Sequence, residues 1–160
     1  MDQQEIDKKF LTKAINLSLK PLELNTGGPF GCIITKDNSI VAIGWNKVTS
    51  TNDPTAHAEV VAIRNACKEL KNFKLDDCVL YTSCEPCPMC LSAIYWAGIK
   101  RVVFSCTKND AASIGFSDKY IYNEIKLPYI DRSVEMKCML RDQGYEKMKL
   151  WLDKKDKMLY

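Results

Sequence analysis

Histidine is almost absent from this chain: among 160 residues there is one, His57. Long hydrophobic runs are missing too. A transmembrane helix requires about 20 apolar residues, and the longest candidate, Ala93 to Ile99, falls far short. The opening Met1-Asp2-Gln3-Gln4-Glu5-Ile6-Asp7-Lys8-Lys9 is polar and charged, with no apolar stretch of signal-peptide length behind it. Export by that route is not expected, and the cytoplasm is the expected compartment. No linker rich in Pro, Gly or Ser, no internal repeat and no charge block divides the chain, so one domain over residues 1–160 is predicted. The net charge of +3, from 23 Lys and Arg against 20 Asp and Glu, is too even to argue for a nucleic-acid or membrane surface. With 46% hydrophobic and 27% charged residues, the disordered and collagen-like classes are excluded.

Cysteine, by contrast, is plentiful, with eight residues. In a chain expected to stay reduced they are free, buried or metal-bound rather than a disulfide framework.

Patterning predicts alternating helices and strands. Ile6, Phe10, Ala14 and Leu17 recur at helical spacing after Asp2, and Lys20-Pro21 ends that pattern. Residues 30–35 and 39–45 read as a hairpin turned at Lys36-Asp37-Asn38. A second helix is expected from Ala56 to Phe73, capped by Thr55 and carrying Val60, Ile63, Ala66 and Leu70 on one stripe. A strand at 78–83 is broken by Cys84-Glu85-Pro86-Cys87-Pro88, which opens a helix ending at Gly98; Arg101 to Cys106 is the next strand. A short helix near Lys119 to Ile125, a fifth strand over Ser133 to Met139 and a helix from Gln143 to Lys157, docked on the domain, complete the reading. The class is α/β, with a sheet parallel in its second half and covered on both faces.

A lone histidine is more often structural than a ligand, but the cysteines change that balance. Cys84, Cys87 and Cys90 are spaced C-x-x-C-x-x-C across a strand end and a helix start. Cys87 and Cys90, at i and i+3, turn both sulfurs to one face, and a helix N-terminus favours the thiolate that a metal requires. Two thiolates and the His57 imidazole make a zinc site with a fourth position for water, the catalytic pattern. Cys84 as a fourth ligand would close the site into a structural Cys3His module acting through surface contacts, and this alternative stays open here. An iron–sulfur run would need a further cysteine where Ile94 stands. Glu59, two residues after His57, serves the same site only if that site lies ahead of the helix N-terminus, where first-turn side chains lean.

These residues carry a resemblance. Thr55-Ala56-His57-Ala58-Glu59 and Cys84-Glu85-Pro86-Cys87-Pro88-Met89-Cys90 resemble the H-x-E and P-C-x-x-C halves of the zinc-dependent cytidine/deoxycytidylate deaminase superfamily. Within it the chain is most similar to the bacterial-type guanine deaminases, through Gly27-Gly28-Pro29-Phe30-Gly31, Asn52 to Val60, Ala93-Ile94-Tyr95-Trp96-Ala97, Gly115-Phe116-Ser117-Asp118 and a terminal tyrosine. The resemblance implies a three-layer α/β/α fold with a central five-stranded mixed sheet and one zinc ion per subunit on His57, Cys87 and Cys90. It implies Glu59 as the proton carrier between the attacking water, the ring nitrogen and the departing ammonia. Phe30 would wall the ring, Asn46 would hydrogen-bond the base, and Ala58 and Trp96 would line the pocket. Asp118 would serve near the base amino group and in proton transfer, although Ser117 stands where the branch commonly has a second aspartate. Tyr160 would close the site, with the segment at about 140–160 exchanged between two subunits of a homodimer; residues 126–159 otherwise diverge from the branch.

The expected reaction is hydrolysis of guanine to xanthine and ammonia. The competing enzyme readings are a tRNA adenosine deaminase and a guanosine or cytosine deaminase. Lys147, Lys149, Lys154, Lys155 and Lys157 gather near the C-terminus, where a solvated helix face outweighs an RNA-holding one. Cys32, Cys67, Cys78, Cys106 and Cys138 are expected to pack as small hydrophobes.

Overall fold

The computed structural model describes residues 2–160, in two compact units, the first ending at Asp118 and the second running Lys119–Tyr160.

In the first unit, α1 (Gln3–Leu17) starts in a capping box. Asp2 Oδ1 accepts from the Glu5 N–H at 2.8 Å, and Glu5 Oε2 accepts from the Asp2 N–H at 3.0 Å. Lys20-Pro21 does end this helix, and it also begins another, α2 (Lys20–Leu24), because proline fits a first helical turn where no N–H is needed. Strands β1 (Gly31–Lys36) and β2 (Ser39–Trp45) form the expected hairpin, with Asp37 and Asn38 both at positive φ, as a type I′ turn demands. A short α3 (Val48–Thr51) leads to α4 (Ala58–Leu70), then β3 (Cys78–Cys84), α5 (Pro88–Trp96), β4 (Arg101–Cys106) and α6 (Lys108–Ser113). Gly98, at φ +76, lies just past α5 as expected.

Among the described residues the sheet has four strands in the order β2-β1-β3-β4, not five. β1 is antiparallel to β2 and β3, and β3 is parallel to β4. Residues 133–139 form no strand. Hydrogen bonds at the start of this segment are local: Ser133 N–H and Oγ both go to Glu124 Oε2, and the preceding Arg132 reaches the carbonyls of Ile125 and Leu127. The second unit is otherwise α7 (Lys119–Lys126), a single 3-10 turn (Tyr129–Asp131) and α8 (Arg141–Asp153), the last shorter than the predicted Gln143 to Lys157 at its C-terminal end.

Strand alternation sends Cys32, Ile34 and Leu80 to one face, against Ala58, Ala62 and Ala66 of α4 and Ile94 of α5. Ile33 and Tyr81 point to the other, against Ile6, Phe10 and Ala14 of α1. Both faces are therefore covered, which gives the expected three layers. The first face sets where α4 lies. A Cβ on Gly44 would sit 2.3 Å from the Ala58 carbonyl oxygen and 2.6 Å from the Ala62 nitrogen, so α4 crosses β2 closer than a side chain permits. Gly44→Ala is expected to lower stability by about 2 kcal/mol, the scale of overpacking against backbone that cannot yield. A urea-denaturation midpoint unchanged from the parent would contradict this contact.

On the second face Asp7 ties α1 to the sheet. Its carboxylate accepts from the Tyr81 hydroxyl at 2.9 Å and from both terminal nitrogens of Arg101, that to Nη1 at 2.9 Å. The Arg101 hydrogen bonds hold the Asp7 carboxyl down at about 2 against the cost of burial. A depressed carboxyl stabilises the fold above its unfolded value near 3.9, and that contribution is lost as pH falls through the folded value. Arg101 is partly exposed, so screening discounts the shift to about 1–2 kcal/mol. Asp7→Asn should lose this amount at pH 7 and should flatten the decline in stability between about pH 4 and 2, read from denaturation midpoints.

Candidate active site

Two helix N-termini converge to build the site. The loop into α4 is shaped by Asp53, whose Oδ1 accepts from the Thr55 N–H at 2.8 Å and the Thr55 hydroxyl at 2.6 Å, while Arg64 reaches Oδ2 from the helix itself. Thr55 is thus not the cap that its sequence position suggested. The N-cap is His57, with no side-chain capping bond. Ser, Thr, Asp or Asn usually serves there; here the position holds an imidazole that points elsewhere. In the same way α5 begins with Cys87 at its N-cap and Cys90 fully buried in its first turn.

His57 Nδ1 lies 3.5 Å from Cys87 Sγ and 3.5 Å from Cys90 Sγ. Among the described residues these three form the group able to hold a metal ion, their ligand atoms all within 4.8 Å of one another. A zinc ion about 2.3 Å from sulfur and about 2.0–2.1 Å from nitrogen, at tetrahedral angles, needs nitrogen–sulfur edges of about 3.6 Å. Both edges here fit it. The donor set, two sulfurs and an imidazole, is a zinc donor set: the Cys90 thiol, foremost, and then His57 hold the Cys87 sulfur down at about 4, toward the thiolate a metal takes, while hydrogen bonding to Cys87 raises both Cys90 and His57. Cys84, the open question of the sequence, stands outside the group. Burial pushes its thiol up to about 12, and Sγ donates to the Thr107 carbonyl at 3.6 Å. Three protein ligands leave a fourth position for water.

Glu59 is 5% exposed, behind the triad. Its Oε1 accepts from the Thr82 hydroxyl at 3.0 Å and its Oε2 lies 3.4 Å from Cys90 Sγ. Burial, before any other influence, raises its pKa. Residues two apart in sequence do converge here, as required, at the opening of α4.

Around this corner Ala58 is fully buried. Asn46, also buried, accepts the Val48 N–H on Oδ1 at 3.1 Å, which fixes its amide. The Phe30 ring meets Phe116 edge-on, centroids 5.1 Å apart, and Gly28 makes room for the pair: a Cβ there would lie 2.7 Å from the Phe116 ring. Asp118 is half-buried; burial raises its pKa first, and the Cys87 sulfur adds to the rise. Trp96 is 67% exposed at the opposite end of the 9-residue α5 from Cys87, about 13.5 Å along the axis. Tyr160 ends the second unit, largely exposed. Of the remaining cysteines, Cys32 and Cys78 are buried and Cys67 is half-buried, but Cys106 and Cys138 are exposed and do not pack as expected.

Thr82 and Phe116 were not singled out from sequence. Strand alternation carried a signal for Thr82, which shares a face with Leu80 and Cys84; for Phe116 the signal was its place two residues before Asp118.

The model of the cytidine and deoxycytidylate deaminase zinc-binding region matches residues 4–106. The chain is 55% identical over 125 residues to the guanine deaminase of Bacillus subtilis, covering 78% of this chain and 80% of that protein. The crystal structure of guanine deaminase from Bacillus subtilis superposes with a TM-score of 0.93 at 46% identity, over 100% of this chain and 99% of that one. A tRNA-specific adenosine deaminase of Haemophilus influenzae is 37% identical, over 76% of this chain and 72% of its own.

Proposed function

Because this chain belongs to the cytidine and deoxycytidylate deaminase zinc-binding family, we propose that it is a zinc-dependent aminohydrolase that converts guanine and water to xanthine and ammonia. The observation that carries this reading is the buried Glu59 carboxylate, one oxygen 3.4 Å from a sulfur of a three-ligand metal triad. The choice of guanine over a tRNA adenosine rests on the likeness to the Bacillus guanine deaminase along the entire chain.

When bound, zinc lowers the pKa of water to near 7 and so supplies a nucleophile at neutral pH. Glu59 would take one proton from the attacking water and give it to the ring nitrogen, then take the second proton from the hydroxyl so added and give it to the leaving amine. Phe30 walls the ring and Ala58 lines its edge, while Asn46 offers its tethered amide to the base. Asp118 meets the exocyclic amino group. In this reading one zinc ion serves each subunit, residues 1–160 act as one deaminase domain, and two chains form a homodimer that exchanges the segment at about 140–160. Among the described residues no helix is long and apolar enough to cross a membrane, and eight free thiols suit a reducing compartment, which we take to be the cytoplasm.

The lysines near the C-terminus argue against an RNA surface. Lys149 pairs with Glu146 at 2.6 Å, Lys154 pairs with Asp156, and Lys157 donates to the Leu152 carbonyl at 2.5 Å. Ammonia release from guanine, guanosine, cytosine, adenine and an adenosine-containing tRNA anticodon hairpin, measured side by side, tests the assignment. Turnover of guanine alone is expected; release only from the hairpin would overturn it.

A further inference from the structure

A carboxylate that shuttles a proton has two chemically equal oxygens, and the terminal torsion that exchanges them is soft. At Glu59 the surroundings make them unequal. Oε1 is held at 3.0 Å by the Thr82 hydroxyl, and Oε2 is turned toward the metal triad, 3.4 Å from Cys90 Sγ. Thr82 is fully buried on β3, an interior strand flanked by β1 and β4, and its branched side chain is stiff there. The other acceptor its hydroxyl reaches is the Gly31 carbonyl, more distant at 3.5 Å. Cys90 cannot share the task, because a cysteine that binds zinc does so as a thiolate, which accepts hydrogen bonds and donates none.

We infer that Thr82 is a positioning residue for Glu59: its hydroxyl pins Oε1, so that Oε2 is the oxygen that takes and delivers the proton. The inference rests on the deaminase reading above and adds a residue to its machinery. Glu59 sits on a helix, and Thr82 references it to a buried position on an interior strand of the sheet. Without the hydroxyl the carboxylate samples rotations that carry Oε2 off the reacting line. A misplacement of about 1 Å costs about 100-fold in rate.

The test uses the zinc-loaded full chain and three variants: Thr82→Val, which keeps the shape and removes the hydroxyl, Thr82→Ser, which keeps the hydroxyl and removes the methyl, and Glu59→Gln. For Thr82→Val kcat on guanine is expected to fall about 10- to 100-fold, with KM within about twofold of the parent and zinc content unchanged, and Thr82→Ser is expected to restore most of the rate. Parental kcat in Thr82→Val beside an inactive Glu59→Gln would overturn the positioning role and leave the deaminase reading standing. Equal losses in both threonine variants, or zinc lost from Thr82→Val alone, would assign Thr82 to packing and overturn the inference. Full turnover by Glu59→Gln would overturn the deaminase reading itself, and the inference with it.

Discussion

Glu59→Gln is expected to leave a folded, zinc-binding protein whose turnover of guanine is lower by about 10⁴-fold, the upper range for losing a positioned acid–base group. The amide keeps the shape of the side chain and still offers an oxygen to the Thr82 hydroxyl, so the contact at 3.0 Å survives. What is lost is the ability to accept protons from water and return them to the ring nitrogen and the amine. Stability should not suffer, because burial already opposes the charged form of Glu59 and a neutral isostere removes that opposition. A thermal midpoint no lower than the parent's, with zinc content unchanged, separates this outcome from misfolding. Guanine turnover at the parental rate would remove Glu59 from the chemistry.

Metal removal should act on structure as well as on rate. His57 and Cys87 are the N-caps of α4 and α5, and Cys90 is buried one turn in, so a bound ion would join two helix starts whose polar side chains meet at 3.4–3.5 Å. Chelation is expected to abolish turnover and to lower the thermal midpoint, since a ligand that binds only the folded state stabilises it by mass action. Added zinc should restore both. Cys90→Ala should lose both permanently, as one of three ligands is gone and a buried position is left underfilled. Cys84→Ala should keep one zinc per chain and most of its rate, because that thiol is spent on the Thr107 carbonyl. Zinc lost from Cys84→Ala would show a closed, four-ligand site. Metal analysis of the purified variants beside ammonia release decides each case.

The candidate ligands were legible because their spacing is partly local: Cys87 and Cys90 share a face at i and i+3 on any helix, and H-x-E converges on one site only ahead of a helix opening, whereas the exclusion of Cys84 was not. The strands and the two helices that carry the site were legible for the same reason, through apolar periodicity and the breaks at Pro and Gly. Expectations failed where one preference met another that residue pattern does not rank. Thr55 has the chemistry of a cap, but Asp53 takes its hydroxyl. Residues 133–139 alternate as a strand does, but Glu124 and Arg132 make local bonds there and no ladder forms. Cys106 has the preferences of a core residue, yet it closes β4 at the exposed edge of the sheet.

By itself the sequence narrowed the metal ligands to His57, Cys84, Cys87 and Cys90 and pointed to Glu59 beside them, and it carried the alternation of strands and helices and the family to which these belong, since each is encoded in residue type at short spacing. Only the tertiary structure decided that Cys84 stays outside the triad, that Phe116 stands against Phe30, and that Thr82 grips one oxygen of Glu59. Those contacts join residues from β3, α4, the loop before β1 and the segment after α6, and nothing in the linear order measures the distance between them. Packing brings them together: the close crossing of α4 over Gly44 and the parallel pairing of β3 with β4 set where each side chain ends.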